Sequence, residues 1–199
     1  MNRIDKFYTK DVVQFSKSYF HYLTEIFKKI DLYEVQSFVD MLLSARDSGS
    51  VIFFMGNGGS ASTASHFAND LAFGVNEYEK PFKVMSITDN TSVITAIGND
   101  YGYDDIFLRQ LKIYGKSGDI VVGISASGNS QNLINAFEYA TSVEIKTVAL
   151  TAFDGGKMKE IADQGVHIPT GDKEYGPAED LHMILDHLVG SYLASLVKK

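Results

Sequence analysis

The sequence predicts an α/β fold, a three-layer sandwich with a central parallel sheet flanked by helices and preceded by N-terminal helices. Two observations carry this expectation. Short apolar runs recur along the chain, and helical patterns lie between most of them. A length of 199 residues with 45% hydrophobic content also suits one domain with a sizeable core. Residues 1–199 are accordingly read as a single domain whose N-terminal extension, to about residue 48, is helical.

The elements follow in order. From about 11 to 30, the apolar residues Val12, Phe15, Tyr19, Tyr22, Leu23, Ile26 and Phe27 recur at three- and four-residue steps, as an amphipathic helix requires. A second helix is expected over 32–48. Val51-Ile52-Phe53-Phe54-Met55 is too short for an ordinary helix and ends in Gly56-Asn57-Gly58-Gly59, so it reads as the first buried strand. Further strands are expected over 82–88, 119–125, 146–151 and 165–169. Helices are expected over 60–71, 131–140 and 178–197, with 170–177 as an irregular loop. The aromatic residues of the first helix suit packing within the chain's own core or between subunits.

Composition narrows the function. Twenty-five acidic residues against 18 Lys and Arg give a net charge of -7, and no basic run offers a nucleic-acid footprint. With no cysteine there is neither a disulfide nor a thiolate metal site, which leaves His, Asp and Glu as candidate ligands. The start of the sequence lacks the apolar core of a signal peptide, and no stretch approaches the roughly 20 apolar residues of a membrane helix. A cytoplasmic location is expected.

Two loops at predicted strand ends suit an anion. Gly56-Asn57-Gly58-Gly59-Ser60 opens a helix and allows close approach of its backbone to a ligand. Ser125-Ala126-Ser127-Gly128-Asn129-Ser130 brings three hydroxyls to the start of another helix. Neither is followed by a Walker lysine, and Gly-x-Gly-x-x-Gly is not present in the first, so nucleotides are disfavoured. In the helix after the glycine loop, His66 and Asp70 stand at i and i+4 and share a face. In the last helix His187 follows Glu179 by eight residues, with His182 and Asp186 nearby. His21 and His167 have no partner at useful spacing and read as surface or core residues.

Taken together, GNGGSASTASHFANDL, AIGNDYGYDDIF, GISASGNSQNLINA, LTAFDGGKM and EDLHMILDH resemble, in order and over nearly the whole chain, the phosphoheptose isomerases of the sugar isomerase (SIS) family. The resemblance implies a flavodoxin-like SIS domain that converts sedoheptulose 7-phosphate to D-glycero-D-manno-heptose 7-phosphate for bacterial surface polysaccharide. It implies a homotetramer with active sites between subunits. Substrate contacts would fall on Asn57, Gly58, Gly59, Asp70, Asn99, Asp100, Ser125, Ala126, Ser127, Ser130 and Glu179. A metal, often zinc, would be held by His66, Asp70, Glu179 and His187, and the acid–base residues would be Asp70 or Glu179 with His187. In this sequence Asp70 stands where the family usually has glutamate, and Glu179 where it usually has glutamine.

One geometric constraint bears on that ligand set. Eight residues of straight helix rise about 12 Å, too far for Glu179 and His187 of one chain to touch the same ion. Either the helix is irregular near Pro177, or neighbouring chains contribute ligands. Isomerisation of another sugar phosphate and a non-catalytic phosphosugar- or protein-binding SIS domain are the competing functions.

Overall fold

The structure, a computed structural model, describes residues 4–197; residues 1–3, part of the stretch expected to lack a signal peptide, and 198–199 lie outside it. Helices α1 (Val12–Phe27) and α2 (Leu32–Ser48) precede strand β1 (Val51–Gly56). There follow α3 (Gly59–Asn69), β2 (Lys83–Ser86), α4 (Thr91–Tyr101), α5 (Leu108–Tyr114), β3 (Ile120–Ser125) and α6 (Gln131–Ser142). The chain then forms β4 (Lys146–Ala152), α7 (Gly156–Ile161), β5 (Gln164–Ile168) and α8 (Tyr175–Val197).

All five strands pair in parallel in the order β2-β1-β3-β4-β5. Alternate side chains leave a strand on opposite faces, and β1 shows it. Ile52 and Phe54 join Phe38, Leu42, Phe67, Val189 and Leu193 in a core beneath α2, α3 and α8. Phe53 and Met55 join Ile97, Leu111, Leu133 and Phe137 on the other face. Phe67 stacks on Phe54 with ring centroids 4.8 Å apart, which locks α3 to the strand from which its loop emerges.

Helix ends are fixed by their own residues. Asp11 caps α1 by accepting from Val13 N (2.9 Å) and Gln14 N (3.3 Å), Asp31 caps α2, and Asn90 caps α4. By contrast, α3 and α6 begin at Gly58 and Ser130 with no side-chain cap, so their first backbone N–H groups are not claimed by a capping residue. These are the two helices that open from the glycine loop and the serine turn.

Most boundaries shift by one or two residues, the second strand being Lys83–Ser86 instead of 82–88, and two differences bear on the site. Helix α8 begins at Tyr175 instead of 178 and runs regularly through Pro177, which the first turn accommodates because its missing N–H would have no intrahelical partner there. An irregular helix start is therefore not the answer to the spacing of Glu179 and His187. At the other end of the site, α3 passes at Asp70 into a π-helical turn, Asp70–Gly74, closed by Val75 N to Asp70 O at 2.9 Å.

Helix α1 divides its apolar residues between two environments. Tyr22 and Leu23 pack against a small cluster containing Ile26, Ala126 and Leu181, whereas Val12 and Phe20 remain 72% and 66% exposed. The hydroxyls of Tyr19 and Tyr22 donate to Asp180 and Glu174, tying α1 to the start of α8.

Candidate active site

The strand order places the site. Because β2 lies on one side of β1 and β3 on the other, α3 and α6 leave toward opposite faces, and a crevice opens between their N-termini at the carboxyl ends of β1 and β3. The glycine loop forms one wall and the serine turn the other.

The glycine loop is held across this crevice by Asn57. Its amide pairs twice with Asn132 of α6, Nδ2 donating to Asn132 Oδ1 at 2.9 Å and Oδ1 accepting from Asn132 Nδ2 at 3.0 Å. Tyr103 OH donates to the same Asn57 oxygen at 2.8 Å. These bonds leave the Asn57 side chain one amide hydrogen for a ligand. Asn57 therefore mainly sets the width of the crevice.

The serine turn keeps its donors free. Ser125 Oγ accepts from Gly128 N (3.1 Å) and Ser127 Oγ accepts from Asn129 N (3.3 Å), which shapes the turn but leaves both hydroxyl protons to donate. Ser130 stands at the α6 N-cap without using its hydroxyl as a cap. Gly128 has φ +62, and a Cβ there would overlap the Gly155 carbonyl oxygen, so glycine is needed for the turn to pack on the loop after β4. The hydroxyls converge on a cleft of about 150 Å³, lined by Asn57, Ser60, Ser125, Ser127, Ser130 and Glu179 among others. Replacing Ser125 and Ser127 together with alanine is expected to raise KM for a phosphorylated substrate about tenfold or more with a smaller change in kcat, since two anion hydrogen bonds disappear. Steady-state kinetics check this; an unchanged KM rejects the turn as the phosphate site.

Glu179 reaches the cleft from α8. A Cβ on Gly59 would overlap its carboxylate, so the glycine is what lets Glu179 lie against the loop. Burial raises the Glu179 pKa above its ordinary value, and Asp180 beside it adds to the effect.

A second group of side chains lies where α3 meets α8. His66, Asp70, Asp186 and His187 each offer a donor atom, and these atoms all lie within 4.8 Å of one another. His66 Nδ1 is 2.7 Å from Asp186 Oδ2 and 3.8 Å from Asp70 Oδ2. The His66 and His187 rings meet edge-on, with centroids 5.0 Å apart. Imidazole and carboxylate donors suit zinc. The hydrogen bond to Asp186 raises the His66 pKa, while burial pushes the Asp186 carboxyl up to about 6.

The expected site residues thus fall into three places. Gly58, Gly59, Asn57, Ser125, Ala126, Ser127, Ser130 and Glu179 surround or adjoin the cleft. His66, Asp70 and His187 form the second group, from which Glu179 is absent and in which Asp186 stands. Asn99 and Asp100 are exposed near the end of α4, hydrogen-bonded to each other at 2.8 Å and outside the cleft lining. His182 is completely buried, its Nε2 3.4 Å from the Thr151 carbonyl oxygen, and burial pushes its pKa down to about 4, which makes it a neutral core residue. His21 is exposed and His167 lies in β5, 3.1 Å from Thr151 Oγ1.

Sequence reasoning gave Asp186, Asn132 and Tyr103 no role. Asp186 had a signal, since it interrupts the otherwise mostly apolar buried stripe of α8 that includes Leu185, Val189 and Leu193. The pairing of Asn57 with Asn132 joins residues 75 positions apart and has no such local signal.

The SIS domain model matches residues 18–152, which include both loops of the cleft. The chain belongs to the SIS domain family. Curated relatives of this SIS domain include the phosphoheptose isomerase of Helicobacter pylori (strain Shi470), 38% identical over 151 residues that cover 76% of this chain and 78% of that one. The phosphoheptose isomerase of Aliarcobacter butzleri (strain RM4018) is 41% identical over 142 residues, 71% of this chain and 74% of the relative. Among solved structures, phosphoheptose isomerase from Neisseria gonorrhoeae superposes with a TM-score of 0.84 at 30% identity, covering 93% of this chain and all of that one. No described helix is long and apolar enough to cross a membrane.

Proposed function

We propose that the protein is a phosphoheptose isomerase, interconverting sedoheptulose 7-phosphate and D-glycero-D-manno-heptose 7-phosphate through an enediol. The observation that carries this reading is the placement of the Glu179 carboxylate, raised in pKa and laid against Gly59, in the same cleft as the three free serine hydroxyls. The names of the relatives support the substrate.

The serine turn and the uncapped N-terminus of α6 bind the phosphate. Glu179 is the base that removes the proton from C1 of the ketose and returns it to C2, whereas Asp70 lies outside the cleft lining and belongs with the histidines. His187 is exposed and supplies the proton to the carbonyl oxygen at C2, then takes the proton from the C1 hydroxyl as the aldehyde forms, so both residues end as they began. A divalent ion, most simply zinc, would be held by His66, Asp70 and His187, and the chemistry it would supply there is polarisation of the substrate oxygens. An imidazole has two nitrogens, so His187 can ligate through one and face the substrate with the other.

The regular helix keeps Glu179 and His187 about 12 Å apart along α8, too far to share one ion, and this favours a homotetramer in which neighbouring subunits complete each site. Residues 1–199 form a single SIS domain in this reading, with the segment to about 48 as its helical N-terminal extension. The enzyme would serve surface-polysaccharide synthesis in the cytoplasm. The test is a panel of five-, six- and seven-carbon ketose phosphates, assayed by NMR with and without zinc. Sedoheptulose 7-phosphate is expected to give the highest kcat/KM; binding without isomer formation would refute the enzyme.

A further inference from the structure

We propose that Asp186 is a positioning residue for the metal centre: its carboxylate holds the Nδ1–H of His66 and so leaves Nε2 as the nitrogen that meets a divalent cation. The inference rests on the metal reading above and assigns a role to a residue outside the ligand set implied by family resemblance.

The distance decides between ligand and support. Two donors bound to one tetrahedral ion at about 2.0–2.1 Å stand roughly 3.3 Å apart. His66 Nδ1 and Asp186 Oδ2 are 2.7 Å apart, the length of a charge-assisted hydrogen bond. Asp70 makes no such bond: its Oδ2 lies 3.8 Å from His66 Nδ1, and its side chain is 26% exposed. Asp186 is completely buried, behind the imidazole.

Burial makes Asp186 costly as a mere filler. Its Oδ1 has no hydrogen-bond partner among the described residues, and neighbouring positions on the same face of α8 include Leu185, Val189 and Leu193. A buried carboxylate with one oxygen unsatisfied destabilises a fold relative to an apolar side chain of similar size. What the carboxylate provides is a fixed acceptor for His66, which sits on a different element, α3, and whose 41% exposed ring has no other hydrogen bond among the described residues. Carboxylate–histidine pairs of this kind select the tautomer and orient the ring for a metal.

The test uses the full-length chain with Asp186→Ala and Asp186→Asn. Zinc affinity is measured by competition with a chromophoric chelator, thermal stability in excess EDTA, and the His66 tautomer by nitrogen-15 NMR of the metal-free protein. Asp186→Ala is expected to weaken zinc about 10–100-fold while the metal-free protein melts at the same or a higher temperature. Asp186→Asn, whose amide oxygen still accepts a hydrogen bond, recovers part of the affinity. The Nδ1–H tautomer dominates in the parent and loses that dominance in Asp186→Ala. Unchanged zinc affinity in a folded Asp186→Ala protein overturns the proposal. So does a loss beyond about a thousandfold without recovery by asparagine, which would make Asp186 a ligand. Failure of the parent to bind zinc refutes the metal reading itself, and the tautomer measurement then decides whether Asp186 orients His66. Zinc binding without turnover of any ketose phosphate refutes the isomerase and leaves the Asp186 result standing.

Discussion

His187→Ala is expected to lower kcat/KM for sedoheptulose 7-phosphate by about 10²–10⁴-fold, the range seen when a positioned proton donor is removed. The fold should survive, because His187 is exposed and alanine favours the helix interior. Thermal melting of the metal-free variant should therefore stay near that of the parent. Two effects combine in the activity loss. Ring removal takes away the proton donor, and it also removes one donor from the group formed with His66, Asp70 and Asp186. Adding excess zinc separates them: restored metal occupancy without restored turnover identifies the proton-transfer role. Parent-level turnover by the variant would exclude His187 from the chemistry.

Glu179→Gln is expected to have an effect of similar size, about 10²–10⁴-fold on kcat, with little change in KM. The substitution keeps the shape of the side chain against Gly59 and removes only its ability to accept a proton. The pH profile carries more information than the magnitude. A base acts only when deprotonated, so activity must rise with pH as Glu179 ionises. Burial, with Asp180 beside it, raises the Glu179 pKa, so the acidic limb of kcat/KM should lie above the ordinary glutamate value of about 4.3. Stability runs the other way. The folded state holds this proton more tightly than the unfolded chain does, so the contribution of Glu179 becomes unfavourable as pH rises from the unfolded pKa through the folded one. The glutamine variant should therefore be no less stable than the parent at neutral pH. Loss of the acidic limb together with turnover identifies the base, and an identical profile in the variant would assign that limb elsewhere.

Much of this architecture is legible in the chain because the signals are local. Val51 to Met55, Ile120 to Ile124 and the run from Val148 to Leu150 are apolar on both faces, as interior parallel strands must be, and the structure buries all of them except Val51, which is half-buried. The two loops could be placed at strand ends because glycine and serine stand where apolar runs stop. What sequence could not show depends on contacts through space. The π-helical turn at Asp70 follows no change in apolar spacing, and it affects the direction of the carboxylate that the resemblance places among the metal ligands. The early start of α8 depends on a first turn that tolerates Gly176 and Pro177, with Glu174 held by Tyr22, Lys6 and Gly171 N just before it.

The division of roles along α8 was the least legible part. Spacing alone showed that Glu179 and His187 of one regular helix cannot share an ion, but it left open which of them keeps company with His66. Packing answers that: Glu179 lies over Gly59 in the cleft, whereas His187 gathers with His66, Asp70 and Asp186 further along the helix.

The most direct measurement of the central claim, that Glu179 moves the substrate proton, is isotope exchange in deuterated water. Sedoheptulose 7-phosphate is incubated with the parent and with Glu179→Gln, and deuterium at C1 and C2 of recovered substrate and product is read by NMR. Deuterium is expected to enter with the parent and to fall by the same factor as turnover in the variant. Deuterium entering at the parent rate with Glu179→Gln would contradict the assignment.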